Sequence, residues 1–146
     1  MKKLIIIPLC CIILTACGND KSVGIIGGAD GPTQIIIAEK GEGAMYQQIT
    51  QEEAKTIMDS EEKFIILDVR EQEEFDAGHI PGAILLPYTE IENKAEKILP
   101  DKTAQILVYC RSGRRSKIAA EGLARLGYTN VKEFGGINDW KYDIVK

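Results

Sequence analysis

Cys110 is followed within five positions by Arg111, Arg114 and Arg115, with Ser112 and Gly113 between them and Ser116 behind them. A thiol beside three guanidinium groups is equipped to act as a nucleophile toward an anion. The run starts where the apolar segment 105–109 ends and leads into a helix-like segment, 114–126. A loop from a strand end to a helix start turns successive backbone N–H groups inward at the positive end of the helix, which makes an anion cradle. A thiolate at its mouth is stabilised by those N–H groups and by the nearby charges, so the pKa of Cys110 is expected to fall. Gly113 lets the backbone bend where a side chain would obstruct it. A cysteine closing a buried strand is often mere packing, but guanidinium groups are seldom gathered around an inert buried thiol.

The expected roles follow from reach. Cys110 is the nucleophile. Arg111, Ser112, Gly113, Arg114, Arg115 and Ser116 form the substrate-binding loop, with Arg111 and Arg114 attracting an anionic substrate and Arg115 and Ser116 bracing the turn. Asp68 ends a strand on the same side of the sheet and is expected to pair with Arg115. Arg70 and Glu74 are four apart, spaced for a helical ion pair, and are read as structural support. His79 lies in Gly78-His79-Ile80-Pro81-Gly82, where a hydrogen bond holding the turn is expected rather than base catalysis. Trp140 is read as core. One His and four Cys argue against a multi-ligand zinc site, so no metal and no organic cofactor are expected.

The elements that must position this loop are legible in the hydrophobic pattern. Residues 45–49 fit a first strand. Thr50 to Glu53 fits a capping box, followed by a helix with Ala54, Ile57 and Met58 on one face. Phe64 to Val69 is an unbroken apolar run but for Asp68, as expected of a strand covered on both faces. Residues 71–77 read as a short helix ended by Gly78, and 83–86 as a short strand. Residues 91–99 read as a helix stopped by Pro100, 105–109 as a buried strand, 114–126 as the best helix and 131–134 as a last strand. Alternating strands and helices predict an α/β fold, an open parallel sheet with helices on both faces. Sites in such folds lie at the carboxyl ends of the strands.

Asp68-Val69-Arg70-Glu71, Glu74-Phe75 and Gly78-His79-Ile80-Pro81-Gly82-Ala83 resemble the first signature of single-domain rhodaneses. The CRSGRRS stretch is similar to their active loop, and Gly135-Gly136 followed by Trp140 to their closing motif. The resemblance spans residues 45–146. It implies a five-stranded parallel sheet and sulfur transfer through a persulfide on Cys110, from a small anionic donor such as thiosulfate to a thiol or cyanide. Such covalent two-step chemistry predicts ping-pong kinetics. Two other classes compete. Cysteine-dependent phosphatases need Arg six positions after the cysteine, where this chain has Ser116. A non-catalytic or sulfur-carrier module of the same fold would keep the architecture without turnover.

The first residues are expected to lie outside the fold. Met1-Lys2-Lys3 precedes an apolar stretch, residues 4–14, too short to span a bilayer, which takes about 20 residues. Its dimensions are those of a secretory h-region. Leu14-Thr15-Ala16-Cys17 resembles the lipobox of bacterial lipoproteins, so residues 1–16 are expected to be a lipoprotein signal peptide and Cys17 the lipidated residue. The implied location is extracytoplasmic, anchored to the bacterial cell membrane. Cys10 and Cys11 then leave with the leader, and Cys110 is left as a free thiol. Residues 17–43 are Gly-rich and read as a tether. Within it, Val23 to Ile26 and Ile35 to Ala38 flank a Gly/Pro turn and predict a small hairpin. The stretch IIGGADGPT is also similar to a segment of the β subunits of sodium-pumping decarboxylases, and it is too short to build an ion path. The domain proper is expected over 44–146, as a monomer.

Composition closes off other classes. With 45% hydrophobic and 27% charged residues the chain can bury a core and is not a disordered tail. A formal charge of −4 gives no reason to expect nucleic acid as a partner. A mean hydropathy of −0.09 excludes a polytopic membrane protein.

Overall fold

The computed structural model describes residues 34–37, 45–60 and 62–146. The expected leader 1–16, Cys17 and the hairpin arm at 23–26 lie outside the described residues.

Among the described residues six strands form one sheet: β1 (Gln34–Ile37), β2 (Met45–Gln48), β3 (Phe64–Asp68), β4 (Ile84–Leu85), β5 (Gln105–Cys110) and β6 (Val131–Gly136). Their order is β1-β2-β6-β5-β3-β4. The five strands from β2 to β4 run parallel, as expected, and β1 adds an antiparallel edge to β2, from Gln34 opposite Gln48 to Ile37 opposite Met45. The expected hairpin partner, residues 23–26, lies outside the described residues, and the strand seen at 34–37 pairs with β2. Residues 34–37, inside the stretch read as a tether, are a strand, and their partner is β2, whose outer edge has no other partner among the described residues.

Among the described residues four α-helices connect the strands: α1 (Gln51–Met58), α2 (Gln72–Ala77), α3 (Ile91–Ile98) and α4 (Arg114–Arg125). α1 opens with the predicted capping box: Thr50 Oγ1 accepts from Glu53 N–H at 3.1 Å, and Glu53 Oε2 accepts from Thr50 N–H at 2.7 Å. α3 stops at Leu99, ahead of Pro100.

Side chains alternate across each strand, so neighbours along β5 serve opposite cores. Ile106, Val108 and Cys110 join Leu67, Val69, Ala95, Ala120 and Leu123, the core beneath α3 and α4. Leu107 and Tyr109 join Ile66, Ile80, Ala54 and Phe134, the core on the α1 face. Helices thus cover both faces. The alternation also decides which polar residues can meet: Asp68 is in phase with Ile66 and faces away from α4, whereas Glu133 is in phase with Val131 and faces toward it.

Candidate active site

Cys110 closes β5 on the α4 side, opposite Gly136 of β6 and just past an irregularity in the pairing after Val108. The residue is 1% exposed. Burial is the largest single influence on its thiol and pushes the pKa up. The Ser116 hydroxyl and the N–H groups of Ser116, Ser112 and Gly113 together outweigh it, so the pKa falls below its ordinary value. The Gly113 N–H lies 3.1 Å from Sγ. The cradle predicted from the strand–loop–helix order is present, and backbone and hydroxyl donors lead among the stabilising groups.

The loop keeps its shape because glycines let it touch β6. Gly113 caps α4 in the left-handed region, at φ +94°. A Cβ on Gly136 would lie 2.3 Å from the Arg111 carbonyl oxygen and 2.5 Å from Ser112 Cα, so β6 and the loop meet backbone to backbone. The Asn138 N–H donates to the Arg111 carbonyl at 3.1 Å, and Gln51 Nε2 donates to the Gly136 carbonyl at 2.8 Å.

The three arginines differ in exposure and pairing, and the brace on Arg115 is not the expected Asp68. Arg111 and Arg114 are exposed, and among the described residues neither forms an ion pair. Arg115 holds Glu74 of α2 in a two-pronged pair, 2.6 and 2.8 Å. This hydrogen bonding holds the Glu74 carboxyl at about 2, below its ordinary 4.5, and raises the Arg115 guanidinium.

Two expected pairs are corrected. Asp68 does not pair with Arg115, because it points to the opposite face of the sheet. Arg70 does not pair with Glu74, because it folds back onto Asp68. Asp68, fully buried, accepts from Arg70 Nε at 2.9 Å, Arg70 Nη2 at 2.7 Å, the Arg70 N–H at 3.0 Å and the Tyr109 hydroxyl at 2.6 Å. Arg70 Nη2 also donates to the Gly78 carbonyl at 2.7 Å, and the Tyr109 hydroxyl accepts from the Ile80 N–H at 3.1 Å. Burial and the bond to Asp68 raise the Tyr109 phenol. This network ties the ends of β3 and β5 to the turn at 78–82 and touches no loop side chain.

His79 does hold its turn. Its Nδ1 lies 3.0 Å from the Phe75 carbonyl, its ring stacks on Phe75 at 3.7 Å, and its backbone exchanges two 2.8 Å bonds with Val145. Trp140 packs on the α1-side core beside Phe134.

The sequence reading missed Glu133. This fully buried carboxyl sits under the loop, where Oε1 is 2.6 Å from Ser116 Oγ and accepts from the Gly135 N–H at 2.8 Å. A glutamate in a strand is ordinarily taken for a solvent-facing residue. Its phase with Val131, two positions before the Gly-Gly pair, was the signal available.

A sequence model of the rhodanese-like domain matches residues 50–143. The chain is 38% identical over 94 residues to YrkF of Bacillus subtilis, a protein named as a sulfur carrier, covering 64% of this chain and 50% of that one. It thus spans half that relative's length. It is 40% identical over 80 residues to the thiosulfate sulfurtransferase PspE of Escherichia coli, covering 55% of this chain and 77% of that one. The solved structure of an E. coli rhodanese with anions superposes with a TM-score of 0.53 at 38% identity, over 56% of this chain and 96% of that one. With the sheet, the loop and the matched residues in agreement, the chain belongs to the rhodanese-like domain family.

Proposed function

We propose that the chain is a thiosulfate sulfurtransferase that carries a sulfane sulfur on Cys110. The observation that supports this most is the lowered thiol of Cys110 among N–H donors, in a loop that also carries the exposed Arg111 and Arg114, which no carboxylate engages among the described residues. The Cys110 thiolate attacks the outer sulfur of thiosulfate. The new S–S bond forms as the bond to the sulfonate sulfur breaks, and sulfite leaves with the electron pair. The persulfide is held by the same donors. A thiolate or cyanide then attacks the outer sulfur, and Cys110 departs as the thiolate. Both relatives named above bear on sulfur handling, one by transfer and one by carriage.

Arg115 speaks against phosphate ester hydrolysis. Its fork is occupied by Glu74, which leaves it engaged rather than free to clamp a phosphate. Intact mass of the purified chain before and after thiosulfate tests the proposal. One added sulfur is expected, lost on cyanide with thiocyanate released, and absent in Cys110→Ser. A wild-type chain that stays unmodified with several donors overturns it. Sulfur loading without thiocyanate turnover favours a carrier.

We propose further that Cys17 carries lipid and keeps the domain at the membrane outside the cytoplasm. Each buried CH₂ contributes about 0.8 kcal/mol, so two or more chains anchor stably. Cys17→Ser is expected to appear in the soluble fraction, and full membrane retention of that variant refutes the anchor.

A further inference from the structure

We propose that Glu133 is a positioning residue that carries a proton at neutral pH and donates it through Oε1 to Ser116 Oγ, freeing the Ser116 hydroxyl to donate to the sulfur of Cys110. The inference deepens the reading of Cys110 as the sulfur-bearing nucleophile and rests on that reading for its importance.

The geometry leaves an ionised Glu133 poorly served. The residue is 0% exposed, forms no ion pair among the described residues, and its Oε2 is buried without a hydrogen-bond partner. A carboxylate in that setting is expensive, and the neutral acid avoids the expense. Burial pushes its pKa up in the same sense. The groups facing it are few. Lys117, exposed on α4, acts on it at a distance, Tyr46 of β2 faces it as an acid whose ionised form would repel it, and Cys110 at the end of β5 shares the Ser116 hydroxyl with it. Glu121 of α4 adds its charge near Tyr46. α1 packs on the other face of the sheet.

Ser116 is the place where this matters, because a hydroxyl has one proton to give. Four acceptors lie around it: Glu133 Oε1 at 2.6 Å, the Gly113 carbonyl at 3.0 Å, the Gly135 carbonyl at 3.3 Å and the sulfur of Cys110. An ionised Glu133 takes that proton at 2.6 Å and leaves the thiolate with backbone donors only, beside a second buried negative charge. A protonated Glu133 donates instead. The hydroxyl then turns to the thiolate, whose charge outbids the neutral carbonyls. Thiolate and carboxylate thus compete for one proton, and the loop holds a single negative charge. The persulfide anion inherits the same donor.

Two measurements on the full chain test this, and neither reads sulfur transfer. Carbon-13 NMR of wild-type protein labelled at glutamate carboxyls is expected to show one resonance still protonated at neutral pH. Uniformly ionised glutamates overturn the proposal, with no variant required. Thiol ionisation is followed by thiolate absorbance and alkylation rate against pH. Glu133→Gln, whose amide nitrogen at the Oε1 position can donate to Ser116 at the loss of the bond from the Gly135 N–H, is expected to keep the midpoint within about twofold in proton concentration and to lose the NMR resonance. Ser116→Ala is expected to raise the midpoint about tenfold, the size of one hydrogen bond to a charged group. A midpoint that falls tenfold or more in Glu133→Gln would mean that the wild-type carboxyl is ionised, and the proposal fails. A chain that never accepts sulfur can still pass these tests, so the two readings fail separately.

Discussion

Arg115 reaches from the first turn of α4 to Glu74 in the first turn of α2, with Nη1 2.6 Å from Oε2 and Nη2 2.8 Å from Oε1. Glu74 Oε2 also accepts from the Glu71 N–H at 3.3 Å, so one carboxylate caps α2 and tethers the active loop. Its pKa of about 2, against an ordinary 4.5, makes the pair a source of stability that is full above pH 4.5 and lost as pH falls toward 2. Both side chains are partly exposed, which limits the contribution to about 1–2 kcal/mol. Urea unfolding of wild type and Glu74→Gln should show that difference at pH 6 to 7 and its disappearance in strong acid. A difference that does not change with pH refutes the assignment.

Arg115→Ala should act on the loop rather than on substrate affinity. Loss of the brace loosens the start of α4 and the N–H groups aimed at Sγ, so the Cys110 pKa should rise. Turnover at neutral pH should fall, and the acidic limb of the pH–rate profile should move upward. An acidic limb that stays in place while only the apparent Michaelis constant rises makes Arg115 a simple anion binder.

Arg111→Ala should do the opposite. The side chain is exposed and unpaired among the described residues, so under the proposed activity it is expected to contribute charge and hydrogen bonds to the donor. The apparent Michaelis constant for thiosulfate should rise more than turnover falls, as when uniform binding is lost. One exposed charged contact contributes roughly 1–3 kcal/mol. Steady-state kinetics at two ionic strengths checks this, since salt should shrink the difference between wild type and variant.

The strands, the helices and the Cys110 loop were legible because each carries a local signal: an apolar run, a capping box, a glycine at a helix end. The pairing of Asp68, Arg70, Glu74 and Arg115 was not, because lying at the same end of the sheet does not tell which face of it a residue serves. Phase does. Asp68 sits two residues after Ile66 and shares its face, which takes it to Tyr109 rather than to α4. Glu133 shares the face of Val131, which takes it under the loop. The strand Gln34–Ile37 carried a strand signal, but its partner β2 is set by which sheet edge lies open, and that is a property of the assembled fold.

The buried network at Asp68 predicts unequal costs for its members. Tyr109→Phe removes one of several donors to Asp68 and leaves the Ile80 N–H without its acceptor, a cost of about 1–3 kcal/mol. Asp68→Ala leaves the Arg70 guanidinium buried and uncompensated, which typically costs about 3–5 kcal/mol. Thermal unfolding should rank the two in that order. Equal losses would mean that the phenol, and not the ion pair, holds the turn at 78–82.

Gly136→Ala tests the contact on which the loop's shape depends. The added methyl falls 2.3 Å from the Arg111 carbonyl and 2.5 Å from Ser112 Cα, distances that backbone cannot tolerate, so either β6 or the loop must move. β6 is fixed by its ladder with β5 and β2, while residues 111–113 are held by the cradle bonds and by a few single bonds such as that from the Asn138 N–H to the Arg111 carbonyl. The loop should yield, carrying the Gly113 N–H off Sγ. A displacement of about 1 Å at a reacting group can cost about 100-fold in rate, and sulfur loading from thiosulfate should fall by that order. Gly135→Ala is the control. Its backbone sits at φ +93°, but its added methyl meets nothing closer than Gln51 Nε2 at 3.8 Å. That variant should lose about 1–2 kcal/mol of stability to backbone strain and keep most of its loading rate. If Gly136→Ala loads sulfur as fast as wild type, the close approach of β6 does not set the position of the thiol.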